Sequence, residues 1–174
     1  PQIREIAWGL TVRDLVGLGR LPFGPMQKND MHVEAAIIKM ELTAFSDRIA
    51  TQLSGGEQAR ALIARALAQD TPILMADEPT ASLDPANQIS TLKIFSELAQ
   101  TGRGIIASIH DLGLAARYCT KLALLDRGKL VAFGSADVVL TPDNLRTVFS
   151  IEAHYEKTKE GIIFQPLSVL KKSN

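Results

Sequence analysis

Apolar residues recur at helical spacing through the first third of the chain. Thr11 to Asp14 have the form of a capping box, which predicts a short helix that ends near residues 17–19. Further helices are predicted over residues 30–42 and from residue 55 or 57 to about residue 69. The predicted inward face of this third helix is Ala59, Leu62, Ile63, Ala66 and Leu67. The pattern therefore predicts an all-helical first third.

Short apolar runs alternate with amphipathic segments from residue 72 onward. Residues 72–76 and 104–109 are such runs, and they predict buried parallel strands. Strands that alternate with helices favour an α/β fold with a parallel sheet, beside which the helical first third forms a subdomain. Between the two runs, residues 85–100 predict a helix whose inward positions are Ile89, Leu92, Phe95 and Leu98.

The remainder of the chain predicts smaller elements. Asp111 can cap a helix over residues 112–118. The turn Asp126-Arg127-Gly128-Lys129 separates two apolar runs, which predicts a hairpin. Pro142 introduces a predicted helix over residues 144–149. Residues 162–164 predict a late edge strand.

The charge and composition of the chain narrow the classes of function. Its 174 residues include 19 Lys and Arg and 19 Asp and Glu, so the formal net charge is zero. Such a chain lacks the broad positive field of a nucleic-acid binder, and we expect no nucleic-acid partner. Cys119 is the single cysteine, which excludes an internal disulfide. No apolar run has the length that spans a bilayer and no signal peptide opens the sequence, so any role at a membrane is expected from the cytosolic side.

Residues that could carry chemistry stand at the ends of the predicted strands. Asp77 and Glu78 follow one strand and His110 follows the next, and ligands bind at the carboxyl ends of strands in such sheets. Each feature alone has an ordinary structural explanation. An acidic pair can start a loop, a histidine at a strand end can be a hydrogen-bonded structural residue, and the serine of Ser-Gly-Gly at residues 54–56 is a good helix N-cap.

The order of these features resembles that of the ATP-binding cassette (ABC) ATPases. LSGGEQ, at residues 53–58, resembles the ABC signature, and ILMADEP, at residues 73–79, resembles Walker B with its catalytic glutamate. TASLDP resembles the D-loop, SIHDL resembles the segment of the switch histidine, and the initial Pro-Gln resembles the end of the strand that enters the Q-loop. The resemblance covers almost the whole chain. It implies an α/β fold, with part of a P-loop NTPase-type core, a parallel sheet and an α-helical ABC subdomain.

The resemblance implies a role for each matching residue in MgATP hydrolysis. Asp77 would hold Mg²⁺ through water, and Glu78 would orient and deprotonate the attacking water. His110 would contact the γ-phosphate, and Gln2 would contact the metal or the water and sense the γ-phosphate. Asp84 would lie at the boundary between two cassettes. ATP and Mg²⁺ are the expected cofactors.

The signature segment has the properties of an anion site. Ser54, Gly55, Gly56 and Glu57 stand at a predicted helix start, where free backbone N–H groups and the helix dipole favour an anion. A side chain at either glycine would keep a phosphate from that backbone. In the family this segment meets the γ-phosphate bound by a second cassette in a head-to-tail dimer. We therefore expect these residues to bind the ATP of a second ATPase subunit, most simply in a homodimer.

The sequence contains no match to the P-loop pattern G-x-x-x-x-G-K-[ST]. In the family the P-loop lies upstream of the Q-loop, with which this sequence begins, so we expect an N-terminal part to be missing. Phosphate cradling by the P-loop is the main source of ATP affinity. We therefore expect this chain alone to bind ATP weakly and to be inactive, and we expect its parallel sheet to expose an edge.

Two looser similarities indicate the transport group. TVRDLVGLGR, directly after the Q-loop, and GSADVVLTPDNLRTVFSIEA resemble the importer ATPases for iron–siderophore complexes, haem and vitamin B12. An ordinary amphipathic surface helix would also account for residues 11–20. The expected partners are membrane permease subunits and, indirectly, a periplasmic substrate-binding protein. The expected location is the cytoplasmic face of the inner membrane, as a peripheral subunit.

The resemblance also implies a division of the chain and leaves other functions open. Residues 1–54 would form the Q-loop and helical subdomain, and residues 55–174 would form the signature helix, the Walker B, D-loop and histidine segments and the C-terminal segment. A soluble ABC ATPase of DNA repair or translation would carry a long coiled coil or a second cassette, and neither appears in these 174 residues. A truncated, non-catalytic cassette would act only through partners, and the lack of a P-loop match favours it.

Overall fold

The computed structural model describes residues 9–25, 30–81, 83–159 and 161–170. Packing divides the chain into two compact units, Pro1–Ser108 and Ile109–Asn174. This division concerns packing alone, and the predicted functional division after residue 54 stays a prediction.

Side-chain caps start the helices of the first unit. The Thr11 hydroxyl accepts a hydrogen bond from the Asp14 amide at 3.1 Å, as the capping pattern predicts. Asp30 accepts one from the His32 amide at 2.8 Å. The helices are α1, Val12–Gly17, with a 3₁₀ turn over Leu18–Phe23; α2, Met31–Lys39; α3, Gly55–Leu67; and α4, Pro85–Gln100.

Helices α1, α2 and α3 pack around one core. Arg20 connects the start of α2 with the end of α3. It forms an ion pair with Asp30, the N-cap of α2, at 3.1 Å, and it donates to the carbonyl of Ala68, the C-cap of α3, at 3.2 Å. The predicted helical first third is confirmed, with an isolated β-bridge between Thr11 and Ile49. The largest fully buried side chains of the core are Val12, Val16, Ile37, Met40 and Leu42.

Helix α3 packs through only part of the predicted face: Ala59 and Leu67 are buried, as predicted, but the other three residues of that face are not. Leu62, Ile63 and Ala66, predicted to face inward, are half-buried and line an open groove. Small side chains replace them in the contact because the 3₁₀ turn after α1 comes very close: a Cβ on Gly19 would lie 2.1 Å from the Arg65 carbonyl oxygen. The buried residues of α3 are Ala59, Ala61, Ala64 and Leu67.

The predicted parallel strands are confirmed as a pair, β1, Ile73–Ala76, and β2, Gly104–Ala107. Strand β2 ends before Ile109, which the sequence placed within it. The prediction that β1 is buried holds for Leu74, which is 6% exposed, but is wrong for Met75, which is 74% exposed. Met75 is exposed because the sheet is narrow: within the described ranges it has only these two strands. One face of β1 therefore stays open.

Helix α4 packs beside β2. Leu92 and Phe95 are buried, as predicted, and Leu98 is half-buried. Ile89 is exposed instead of inward-facing, and Thr91 takes a buried position. At about 100° per residue, Ile89 lies roughly 200° around the helix from Thr91, which places it on the opposite side.

The second unit is built from short helices and hairpins. The predicted turn at Arg127 and Gly128 is confirmed, with φ angles of 47° and 76°, the left-handed geometry that matches strand twist. The elements are α5, Leu112–Tyr118; β3, Leu122–Asp126; β4, Lys129–Gly134; α6, Ala136–Val139; α7, Pro142–Asn144; β5, Ile151–Thr158; and β6, Gly161–Val169. The buried residues of its core are Ala116, Leu124, Ala136, Val139, Leu140 and Leu145.

Two predictions for the second unit need correction. The helix predicted over residues 144–149 is a π-helical turn, Leu145–Phe149, which follows α7 and ends at Ser150 with a left-handed φ of 55°. The edge strand predicted over residues 162–164 is part of the longer β6, and its antiparallel partner β5 was not predicted. Among the described residues, no helix is both long and apolar enough to cross a membrane.

Candidate functional site

The start of α3 is a closed capping box. The Ser54 hydroxyl accepts from the Glu57 amide at 3.4 Å, and the Glu57 carboxylate accepts from the Ser54 amide at 2.8 Å. The Ser54 hydroxyl also donates to the same carboxylate at 2.8 Å. These hydrogen bonds fix the turn that presents the Ser-Gly-Gly backbone, although Ser54 itself is exposed.

The capping contacts favour the charged form of the Glu57 carboxylate. Hydrogen bonds from the Ser54 amide, and then from its hydroxyl, lower the pKa of Glu57 below its ordinary value. The positive charges of Arg60 and Arg48 act in the same direction. Glu57 is thus an anion engaged in holding its own loop. Its predicted contact with a nucleotide stays a prediction.

The two glycines of the signature segment differ in their surroundings. A Cβ at Gly55 would meet nothing within 4 Å, so the backbone there is open to an approaching ligand. A Cβ at Gly56 would lie 2.6 Å from the Asn87 amide nitrogen. A side chain at Gly56 would therefore have to displace the Asn87 side chain, whereas a side chain at Gly55 would meet no neighbour.

Asn87 joins the signature segment to the D-loop. Asp84 caps α4 by accepting from the Asn87 backbone amide at 2.9 Å and from its side-chain amide at 2.6 Å. These two bonds, the backbone one first, lower the pKa of Asp84. The Asn87 side chain thus contacts both Gly56 and Asp84. Sequence reasoning missed Asn87, although its place three residues after a capping aspartate is a recognisable signal.

The end of β1 places Asp77 and Glu78 beside Ser108, at the end of β2. The Ser108 hydroxyl donates to Asp77 Oδ1 at 2.6 Å and accepts from the Glu78 amide at 2.8 Å. Glu78 has a left-handed φ of 45°, which is uncommon for a residue with a side chain and concentrates at functional sites. The sequence therefore identified both residues but not the serine that contacts the Asp77 carboxylate and the Glu78 backbone amide.

The structure tests neither of the other two predicted catalytic residues. His110 belongs to the second unit, and its side chain is exposed. Its predicted meeting with Glu78 and a γ-phosphate stays a prediction. Gln2, predicted to contact the metal or the water, lies outside the described residues.

The residues at the end of β1 fit a magnesium ion that comes with a nucleotide. No group of three or more His, Cys, Asp or Glu side chains could hold a metal ion within the ranges that the structure describes. Mg²⁺ in nucleotide sites needs no such group, because it binds one or two carboxylates, water and phosphate oxygens. Asp77 is exposed at the strand end, with one oxygen fixed by Ser108. It would hold the ion in that mode.

A parallel strand that ends in two carboxylates and a capped helix start opened by glycine are both typical of nucleotide-binding proteins of the α/β class. The model for the family described as ABC transporter matches residues 2–81. The hemin import ATP-binding protein HmuV of Pseudomonas putida is 38% identical over 173 residues, which is 94% of this chain and 68% of the relative. The chain belongs to the ABC transporter family.

Two further comparisons extend the match. The cobalamin import ATP-binding protein BtuD of Halobacterium salinarum is 43% identical over 153 residues, which is 86% of this chain and 38% of the relative. A transporter classed as metal-chelate type, solved in an inward-facing conformation, matches with a TM-score of 0.84 and 30% identity over 97% of this chain and 71% of its own. These likenesses confirm the predicted cassette fold. The chain spans 38% of the cobalamin relative and 68% of the hemin relative from Pseudomonas putida, so both relatives are longer.

Proposed function

We propose that this chain is part of the ATP-hydrolysing subunit of an importer for an iron chelate, either an iron–siderophore complex or haem, or for vitamin B12. The observation that carries the proposal is the end of β1, where Asp77 and Glu78 are held in place by one serine. The names of the hemin and cobalamin relatives support the substrate class. Permease subunits, a periplasmic binding protein and a position on the cytoplasmic face of the inner membrane follow from the same resemblance.

Each of these residues would have a separate role in ATP hydrolysis. A bound Mg²⁺ would neutralise charge on the phosphates. Asp77 would hold this ion, and Glu78 would orient the attacking water and accept its proton. His110 and Gln2 would complete the γ-phosphate contacts. Each assignment rests on the match of the residue to its motif.

The signature segment supports a dimer. Its open Gly55 and the N-terminus of a 13-residue helix offer backbone N–H groups to an anion. We propose that Ser54, Gly55 and Gly56 bind the γ-phosphate held by a second copy, with Asp84 at the boundary between the copies. A chain that acts only through such a partner, without turnover of its own, is the second candidate, because the exposed start of α3 would serve a partner's nucleotide in either case.

The test of the catalytic assignment is the variant Glu78→Gln in the protein as its native gene makes it, purified with its membrane subunits. A positioned general base contributes about 10²- to 10⁴-fold in rate, so we expect MgATP hydrolysis to fall by at least about 10²-fold. Glu97→Gln is the matched control, because Glu97 forms an exposed ion pair with Lys39 at 2.9 Å. Retention of the full rate by Glu78→Gln would contradict the assignment.

Two measurements separate the remaining alternatives. Uptake of haem, of an iron–siderophore complex and of cobalamin into vesicles that carry the purified importer tests the substrate class, and uptake of none of them would contradict it. If the wild-type protein hydrolyses no ATP alone but restores hydrolysis to an intact cassette, the second candidate replaces the first.

A further inference from the structure

We propose that Ser108 is a positioning residue for the carboxylates of the ATPase site, an inference that rests on the proposed function. Ser108 is the first residue of SIHDL, the segment that resembles that of the switch histidine, but the resemblance gives it no role of its own, and it lies 31 residues from Asp77 along the chain. Its hydroxyl makes two contacts at once: it donates to Asp77 Oδ1 at 2.6 Å and accepts from the Glu78 amide at 2.8 Å. A serine hydroxyl has one proton to donate and lone pairs to accept with, so one side chain satisfies both neighbours.

The backbone holds Ser108 in the correct place for this. The ladder between the two strands continues past their ends, because the Ser108 amide donates to the Ala76 carbonyl at 3.0 Å. This bond fixes the Cα of Ser108 next to the point where the chain leaves β1. The hydroxyl position therefore follows from the parallel pairing, and not from a flexible loop.

The hydrogen bond to the Glu78 amide helps to hold Glu78 in an unfavourable backbone conformation. Glu78 has a φ of 45°, which costs energy for any residue with a Cβ. The Ser108 hydroxyl holds the amide of this residue, and its carbonyl accepts from the Ala81 amide at 3.1 Å. The direction in which Glu78 leaves the chain depends on this conformation. Loss of the hydroxyl would let the residue relax toward negative φ and turn its side chain away.

The position of Ser108 argues against a role in general stability. Ser108, like Asp77, is exposed, and hydrogen bonds at exposed positions compete with water. The core of the first unit lies elsewhere, around α1, α2 and α3. Removal of the hydroxyl should therefore change the geometry of the carboxylates and leave the melting temperature unchanged.

The first readout needs no nucleotide. In Ser108→Ala, we expect hydrogen exchange of the Glu78 amide to be about tenfold faster than in the wild type, because the amide loses its acceptor. Ser108→Thr keeps the hydroxyl and should keep the protection. Ser168→Ala is the matched control, since Ser168 is exposed and donates to the Glu152 carboxylate at 3.2 Å in the second unit. Unchanged protection of the Glu78 amide in Ser108→Ala overturns the inference.

The second readout is turnover in the native protein assembled with its membrane subunits. Loss of an outer partner of a ligating carboxylate typically costs about 10- to 100-fold in metal affinity or activity, and we expect kcat of Ser108→Ala to fall by this factor. The concentration of Mg²⁺ for half-maximal rate should rise, while KM for ATP stays the same. If Ser108→Thr loses as much activity as Ser108→Ala, the hydroxyl is not responsible and the inference is wrong.

The outcomes separate this inference from the proposed function. If Glu78→Gln abolishes hydrolysis but Ser108→Ala keeps the wild-type rate and amide protection, the proposed function stands and the inference fails. If the wild type hydrolyses no MgATP, or if Glu78→Gln is fully active, the proposed function fails, and the inference, which rests on it, fails too.

Discussion

The helical bundle and the parallel strand pair of the first unit bury their apolar residues to very different degrees. Ile37, Met40 and Leu42 in the bundle are at most 1% exposed, whereas Met75 in β1 and Ile106 in β2 are 74% and 57% exposed. The helices of the bundle enclose a core among themselves, whereas the two-stranded sheet is buried on one face only. Asp77 and Glu78, two of the candidate site residues, follow the end of β1. The well-buried core and these two carboxylates therefore belong to different parts of the same unit.

The largest expected effect is a substitution inside the bundle. Ile37→Ala removes a side chain that is 1% exposed, and such a change costs about 2–5 kcal/mol in the free energy of unfolding. The next residue provides the control, because Ile38 is 64% exposed and Ile38→Ala should cost less than about 0.5 kcal/mol. Urea denaturation of both variants measures the difference. Equal losses would mean that the bundle is not the closed core described above.

A smaller effect is expected from the same comparison within β1. Leu74 is 6% exposed and Met75 is 74% exposed, so neighbouring residues test the two faces of one strand. Leu74→Ala should cost about 2 kcal/mol, at the low end of the range for buried leucine, because the narrow sheet can relax around the cavity. Met75→Ala should change the free energy of unfolding by less than about 0.5 kcal/mol.

This second comparison can fail in an informative way. If Met75→Ala destabilises the protein as much as Leu74→Ala, the outer face of β1 is covered in solution. Measurement at several protein concentrations then distinguishes cover by another copy, which makes the loss concentration-dependent, from cover within the chain.

The elements that could be predicted from the sequence are those fixed by local contacts. The start of α1 depends on Thr11 and Asp14, three residues apart, and the hairpin turn depends on Arg127 and Gly128 at positive φ. Both signals lie within four residues. Asp77 and Glu78 were found because they belong to a motif, in a fixed order with other motifs.

The features that could not be predicted depend on contacts between distant parts of the chain. The contact between Ser108 and Asp77 depends on the register of the two parallel strands, which the sequence does not reveal. The prediction for α3 was wrong for Leu62, Ile63 and Ala66 but right for Ala59 and Leu67. Close approach by Gly19 favours alanines at the contact, which periodicity alone does not reveal. Strand β5 was missed for a local reason: its apolar residues alternate with Glu152, His154 and Glu156, which is the pattern of a half-buried strand and not of the continuous apolar runs from which the other strands were predicted.

The smallest expected effect is electrostatic and lies at the edge of the bundle, at the capping box of α3. Hydrogen bonds from the Ser54 amide and hydroxyl lower the pKa of Glu57 below its ordinary value of 4.5. The folded protein therefore binds this proton less readily than the unfolded chain. The contribution of Glu57 to stability is fully present above pH 4.5 and is lost as the pH falls through the lower pKa of the folded state.

A carbon-13 NMR titration of the Glu57 carboxyl group should show a midpoint below 4.5. In Ser54→Ala, which removes the hydroxyl but not the amide, the midpoint should move up part of the way. Because Glu57 titrates near the surface and not in the core, Glu57→Gln should change the free energy of unfolding at neutral pH far less than Ile37→Ala does. A midpoint at or above 4.5 in the wild type would mean that the capping box is open in solution, and that the bundle holds its shape without this local contact.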